Sequence, residues 1–148
     1  MMLLSALLAA CGKWKVFKTP SNPDNKETRH AACYIYLNSP DSIHLQIIFA
    51  DNGIKGTLLY GTPGREGQGG FFSGYIKGDT LFAEYTFKAN GRTGVREVAF
   101  LRTMNGLLEG TGPTETRDGK TVYSHPSALT FPEERLLKVV TCPGTNRK

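Results

Sequence analysis

Residues 43–60 read IHLQIIFADNGIKGTLLY, and this stretch decides the fold. Apolar and polar residues alternate on both sides of Asn52-Gly53, as they do in strands with one buried face. Asn-Gly between two such runs is a strong hairpin signal, because both central residues of the favoured turn need positive φ. With these two residues in the turn, Phe49 is expected opposite Gly56. The stretch is therefore predicted to form an antiparallel hairpin with one apolar face.

The same pattern recurs twice further along the chain. Gly78-Asp79 separates a second pair of strand-length runs, whose shared apolar face includes Tyr85. Asn105-Gly106 separates a third pair, and a turn at these residues would set Arg102 opposite Glu109 as a cross-strand charge pair. Three hairpins in series predict a β-meander.

The composition also favours an all-β fold. The chain has 17 glycines and 8 prolines, and long helix-forming runs are absent. Further strand-length segments at 31–37, 127–131 and 139–142 bring the expected total to eight or nine. We expect an antiparallel up-and-down meander of about eight strands that closes into a small, lipocalin-like β-barrel, since closure removes exposed edges. A two-sheet β-sandwich is the alternative.

The first residues predict where the protein is located in the cell. Residues 3–10 read LLSALLAA, which is too short to span a bilayer and fits the apolar core of a secretory signal. Leu8-Ala9-Ala10-Cys11 resembles a lipobox, in which a lipid is attached to the cysteine and the chain is cut just before it. The alternative is a cytosolic protein with an apolar first strand. We expect residues 1–10 to be a signal peptide, 11–30 a lipidated N-terminus and flexible tether, and 31–148 a single β-domain.

The other two cysteines are Cys33 and Cys142. An even pair in an exported chain is usually a disulfide, which here would join the first β-segment to the last. A metal site lacks nearby His or Cys partners, and two free buried thiols are the remaining alternative.

The distribution of charged residues indicates which kinds of binding partner to expect. The net charge is +5, but the basic residues are scattered among acidic ones, so nucleic acid is not an expected partner. We expect a monomer attached to the membrane through acyl chains on Cys11, with an envelope protein or anionic lipid as further partner.

Candidate chemistry is sparse. No catalytic motif is recognisable, and His30, His44 and His125 belong to no spaced metal motif, so we expect no enzyme, metal or cofactor. Glu97 is the one notable residue, because the face that it shares with apolar neighbours would be buried, and a buried carboxylate needs a partner or a ligand. Glu97 with Tyr85 could orient a ligand, unless the faces of this strand are reversed or Glu97 lies at a rim. The glycine-rich loop at 61–70 and the segment 114–123 could flank a barrel mouth.

Four further segments are CYIY at 33–36, GDTLFAEYTF at 78–87, VREVAF at 95–100 and LEG at 108–110. Together they resemble segments of small lipoproteins of the Bacteroidota envelope. The resemblance implies an address and a fold and carries no catalytic residues. The lack of an acidic run after Cys11 differs from the surface-export signals of such lipoproteins and indicates the periplasmic face of the outer membrane.

The expected function is that of a non-catalytic binding or structural module of the envelope. The alternatives are a small-molecule or lipid carrier with a barrel cavity, and a periplasmic inhibitor of a lysozyme or protease.

Overall fold

The computed structural model describes residues 30–144, so the predicted signal peptide, Cys11 and the tether up to residue 29 lie outside the described part of the chain. Two short 3-10 helices, Pro126–Ala128 and Glu133–Arg135, accompany the strands. The strands are β1 (His30–Asn38), β2 (Asp41–Ala50), β3 (Gly53–Gly61), β4 (Gln68–Lys77), β5 (Thr80–Ala89), β6 (Arg92–Thr103), β7 (Gly106–Glu109), β8 (Thr114–Arg117), β9 (Lys120–Tyr123) and β10 (Leu136–Val140).

Eight of these strands close into an antiparallel barrel. From β1 to β7 the strands pair in sequence order, so that the first pairing is β1 with β2 and the last is β6 with β7. Strand β10 then lies between β7 and β1 and completes the ring. The predicted all-β meander and its closed barrel are confirmed, and the sandwich alternative is not found. Strands β8 and β9 form an added hairpin that joins β6 through a single parallel pairing of Arg96 with Thr121.

The core fills the barrel with alternate side chains from seven of its eight strands, and Tyr34 and Tyr36 of β1 pack against it. Burying each large apolar side chain stabilises the fold by roughly 1.5 to 3 kcal/mol relative to leaving it exposed. The buried cluster consists of Ile43, Leu45, Ile47, Ile54, Leu58, Phe72, Leu81, Ala83, Tyr85, Val98, Phe100, Leu107 and Leu137. The inward faces predicted for the first two hairpins are thus those that the structure buries.

The two Asn-Gly turns lie one residue earlier than predicted. The turns are Asp51-Asn52 and Met104-Asn105, and each glycine is the first residue of the following strand. Gly53 and Gly106 have φ of +134° and +143°. A Cβ on Gly106 would lie 2.1 Å from the carbonyl oxygen of Leu137, so the neighbouring strand passes too close for any side chain. The glycine therefore serves the close approach of strands rather than the turn itself.

This change moves the strand pairing by two residues and leaves the faces unchanged. Phe49 lies opposite Ile54 rather than Gly56. In the third hairpin Arg102 lies opposite Leu107, so the predicted charge pair with Glu109 is wrong. Arg102 forms an exposed ion pair with Asp79 instead, with an N to O distance of 3.7 Å. The turn at Gly78-Asp79 is as predicted.

The predicted cysteine pair lies at the seam where the barrel closes. Cys33 and Cys142 form a disulfide whose Cα atoms are 5.1 Å apart, and it links residues separated by 109 positions in sequence. Cys33 is on β1, opposite Val140 of β10. The bond therefore joins the first strand of the barrel to the segment that follows the last.

The two ends of the barrel differ. One end carries the tight turns between β2 and β3, β4 and β5, and β6 and β7, together with the start of β1 and the end of β10. The other end, which we call the mouth, carries the glycine-rich connection of residues 62–67, the start of β6 and the end of β7. The described chain thus enters and leaves the barrel at the end opposite the mouth.

Candidate functional site

The barrel opens at the mouth because β6 and its neighbour differ in length. Strand β6 has 12 residues, whereas β7 has 4 and pairs only with the far half of β6. Strand β9 lies beside the uncovered half, and a cleft of about 530 Å³ remains. The cleft is lined by Tyr60, Gln68, Arg96, Glu97, Glu109, Gly110, Thr111, Gly112, Thr114, Thr121, Tyr123 and Arg135. The two segments predicted to flank a mouth both contribute to this lining.

The charged residue that faces into the barrel from β6 is Arg96. It lies directly opposite Tyr85 of β5, and the next inward positions of β6, Val98 and Phe100, belong to the core. The expected faces of this strand were therefore reversed. The sequence was ambiguous because apolar residues occur at both alternations of this strand, and the outward-facing Ala99 is itself fully buried.

The guanidinium of Arg96 lies close to three aromatic rings. Its Cζ atom lies 5.0 Å from the ring centroid of Tyr60, 5.5 Å from that of Tyr85 and 6.0 Å from that of Phe87. Such contacts attract a cation to the electron-rich faces of the rings.

Glu97 reaches the cleft from the opposite face of β6. One of its carboxylate oxygens accepts a hydrogen bond of 2.8 Å from the backbone N–H of Tyr123. Glu97 thus holds the end of β9 against β6. Glu97 and Tyr85 lie on opposite faces of the sheet. The prediction that these two residues share one inward surface is therefore wrong.

Tyr85 is a buried support beneath the cleft rather than part of its lining. Its hydroxyl lies 2.9 Å from the carbonyl oxygen of Leu58 and 3.1 Å from that of Gln68, and its single proton is shared between these two acceptors. Burial raises the pKa of Tyr85 to about 12, while the nearby Arg96 acts in the opposite direction. Because Leu58 is near the end of β3 and Gln68 begins β4, these contacts hold the two strands together at the mouth.

Glu109 is the buried carboxylate of the site. It is 7% exposed, and one of its oxygens accepts a short hydrogen bond from the hydroxyl of Tyr60. Its other oxygen forms an ion pair of 2.7 Å with Arg135. Burial, followed by the charge of Glu109, raises the pKa of Tyr60 far above its usual range, so Tyr60 remains a neutral donor. Both oxygens of Glu109 are thus occupied by the protein.

Tyr123 closes the side of the cleft next to Glu97. Its hydroxyl lies 3.3 Å from the carbonyl oxygen of Gly110, to which it donates. Burial is the main cause that raises the pKa of Tyr123 to about 12, and Glu109 adds to it.

Sequence reasoning did not identify Arg96, Glu109, Tyr60 and Arg135 as a group. The distance along the chain explains this, since Tyr60 and Glu109 are 49 positions apart. One signal was available, because Arg96 stands two positions before Val98 and four before Phe100. Side chains two positions apart share a face of a strand, so if Val98 and Phe100 face inward, Arg96 does so as well.

The cleft is suited to recognition by hydrogen bonds and charge. Among the residues that the structure describes, the lining contains no cysteine, histidine or serine. Within residues 30–144, no group of three or more His, Cys, Asp or Glu side chains is arranged to hold a metal ion. No helix in the same range has the length and apolar character needed to cross a membrane.

Comparison of the chain with protein-family models, with curated proteins and with solved structures finds no match.

Proposed function

We propose that this protein is a lipid-anchored, non-catalytic binding module of the bacterial cell envelope that binds a small ligand in the mouth cleft. The observation that carries this proposal is the polarity of the mouth. Tyr60, Arg96 and Glu109 line the cleft, directly above a barrel interior otherwise filled with apolar side chains. Polar groups placed beside an apolar wall are typical of small-molecule sites.

The size of the cleft supports the same proposal. Its volume of about 530 Å³ falls within the range of roughly 300 to 1,000 Å³ that is usual for ligand sites. The thirteen side chains of the core occupy the barrel below it, so a ligand held at the mouth is favoured over a lipid chain held along the barrel axis.

The envelope address rests on two features. The lipobox-like sequence ending at Cys11 supports attachment to lipid, and the Cys33–Cys142 disulfide fits an oxidising compartment. The periplasmic face of the outer membrane is the proposed location.

Native mass spectrometry of the chain, purified from the membranes of its own host, tests both parts. We expect a protein that has lost residues 1–10, has gained acyl mass on Cys11 and releases a co-purifying small molecule on denaturation. The matched control is Cys11→Ala, which should keep residues 1–10 and gain no lipid while still carrying the ligand. An unprocessed wild-type chain in the soluble fraction would contradict the anchor. A processed chain that carries no ligand, from cells in several growth conditions, would contradict the small-molecule site.

A second candidate is a protein-binding module, such as an envelope enzyme inhibitor. The outer face of β3 to β5 favours it, because this face exposes Leu59, Phe71 and Tyr75 at 46%, 73% and 58%. Tyr75 also stacks on Phe82, with ring centroids 5.7 Å apart. Exposed aromatic residues are typical of protein contact surfaces.

A photo-crosslinking amino acid at position 71 in intact cells tests this candidate. A partner on the aromatic face would give one discrete adduct at position 71 and none from the same probe at Thr116, which is exposed on β8. Equal labelling at both positions would argue against a specific partner.

A further inference from the structure

We infer that the ligand of the mouth cleft is a small organic oxyanion, bearing a carboxylate or a phosphate, and that Arg96 binds it. This inference rests on the proposed small-molecule function and names the chemical class of the ligand.

The first step concerns the donors of Arg96. Its Nε atom is buried and has no hydrogen-bond partner among residues 30–144. Leaving a buried donor unsatisfied is destabilising, and more so when the group is charged.

The second step concerns the carboxylates nearby. Both oxygens of Glu109 are occupied, by Tyr60 and by Arg135. Glu97 is held by the backbone of Tyr123. No carboxylate forms an ion pair with Arg96 within the described range. Among residues 30–144, the cleft thus contains a cation that forms no ion pair with a carboxylate.

The third step concerns the partner that fits. The Nε and Nη donors of arginine form a planar fork that matches two oxygens of a carboxylate or a phosphate. Arg135 lines the same cleft, and its Nε atom is also buried without a hydrogen-bond partner in the described part of the chain, although its Nη2 atom pairs with Glu109. Two arginines with the same unsatisfied donor, in one cleft of about 530 Å³, point to an oxyanion carried on a small organic molecule.

Proton–nitrogen correlation NMR of the ¹⁵N-labelled full chain tests this directly, because the Nε–H group of each arginine gives its own signal. The probes are succinate, inorganic phosphate and 1,4-butanediol, which has the same carbon chain as succinate without the charge, all at constant ionic strength. Arg102 is the internal control, since it lies on the same strand and its side chain is 44% exposed.

We expect succinate or phosphate to shift the Nε–H signal of Arg96 saturably, with no matching shift at Arg102 and none from butanediol. Saturation by succinate alone would indicate a carboxylate ligand, and saturation by phosphate alone would indicate a phosphorylated one. Arg96→Lys keeps the charge but removes the planar fork, so affinity should fall at least tenfold. Arg102→Lys should leave it unchanged, and backbone amide signals report whether each variant is folded.

Three results would overturn the inference. The first is an Arg96 signal that moves with neither anion, and the second is one that moves without saturation in parallel with Arg102. In the third, butanediol saturably shifts the amides of the cleft while the anions do not, which would leave the small-molecule function standing with a neutral ligand. If no probe reaches the cleft and the host protein is also empty, the proposed function fails as well.

Discussion

Raising the pH above about 10 should destabilise the barrel, because three tyrosines at the mouth hold their protons more tightly in the folded chain than in the unfolded one. A tyrosine in an unfolded chain has a pKa of about 10. Burial raises the pKa of Tyr85 and Tyr123 to about 12 in the folded protein, and raises that of Tyr60 further still. A tyrosine whose pKa is higher in the folded chain stabilises the fold fully at pH values below its unfolded pKa. This stabilisation is lost as the pH rises through the folded pKa.

The size of the loss follows from the shifts. Between the unfolded and folded pKa, each tyrosine lowers the free energy of unfolding by up to about 1.4 kcal/mol per pH unit. At pH 11 the three together should have removed about 4 kcal/mol. That loss is a large part of the 5 to 15 kcal/mol that is typical of a small domain.

Urea unfolding followed by circular dichroism at pH 8, 9, 10 and 11, at constant ionic strength, measures this loss. Tyr123→Phe removes one ionising group and should reduce the fall between pH 9 and 11 by about a third. Tyr75→Phe is the control, because Tyr75 is 58% exposed on the outer face. The reasoning would be refuted by a free energy of unfolding that stays constant to pH 11, or by Tyr123→Phe falling as steeply as Tyr75→Phe.

Three further predictions concern the seam, one turn and the buried carboxylate. Replacing Cys33 and Cys142 together by Ala should lower the free energy of unfolding by about 5 kcal/mol on the chain-entropy model, and equal urea midpoints for the two proteins would contradict it. Gly106→Ala should cost more than about 1 kcal/mol, because φ is +143° and a strand backbone occupies the position of the new Cβ, and thermal melting measures the loss. Glu109→Ala should cost about 3 kcal/mol in urea unfolding, because it leaves a buried hydroxyl and an arginine without their acceptor. Glu115→Ala, which breaks an exposed pair, should cost under about 1 kcal/mol, so similar losses for the two glutamates would argue against the buried network.

The barrel was predictable because its signals are local. Alternation around Asn52-Gly53 and Gly78-Asp79 fixes which side chains face inward, and a shift of two residues in pairing leaves those faces unchanged. A meander of about eight strands is then expected to close into a barrel, because closure removes the exposed edge strands. The pair Cys33 and Cys142 was predictable for a different reason, since removing Cys11 from the count leaves only these two.

The mouth was not predictable in the same way. The faces of β6 are ambiguous in sequence because apolar residues occur at both alternations, and Ala99 is buried on the outer side. The contacts of Glu109 depend on where β3 and the segment before β10 end, which no local pattern specifies. A strand of 12 residues beside one of 4 creates the cleft, and only the assembled ring shows that mismatch.

The position of the disulfide determines how the barrel would respond to tension on its N-terminal side. A pull on the chain before His30 would, in an uncrosslinked barrel, peel β1 away from β2 and β10 one hydrogen bond at a time. The covalent bond at Cys33 stops this after residues 30–32, since the load then passes through the sulfur atoms to the segment after β10 as well. Both strands of the seam must then yield together, so the mouth at the far end keeps its shape under a load that would unravel an open sheet.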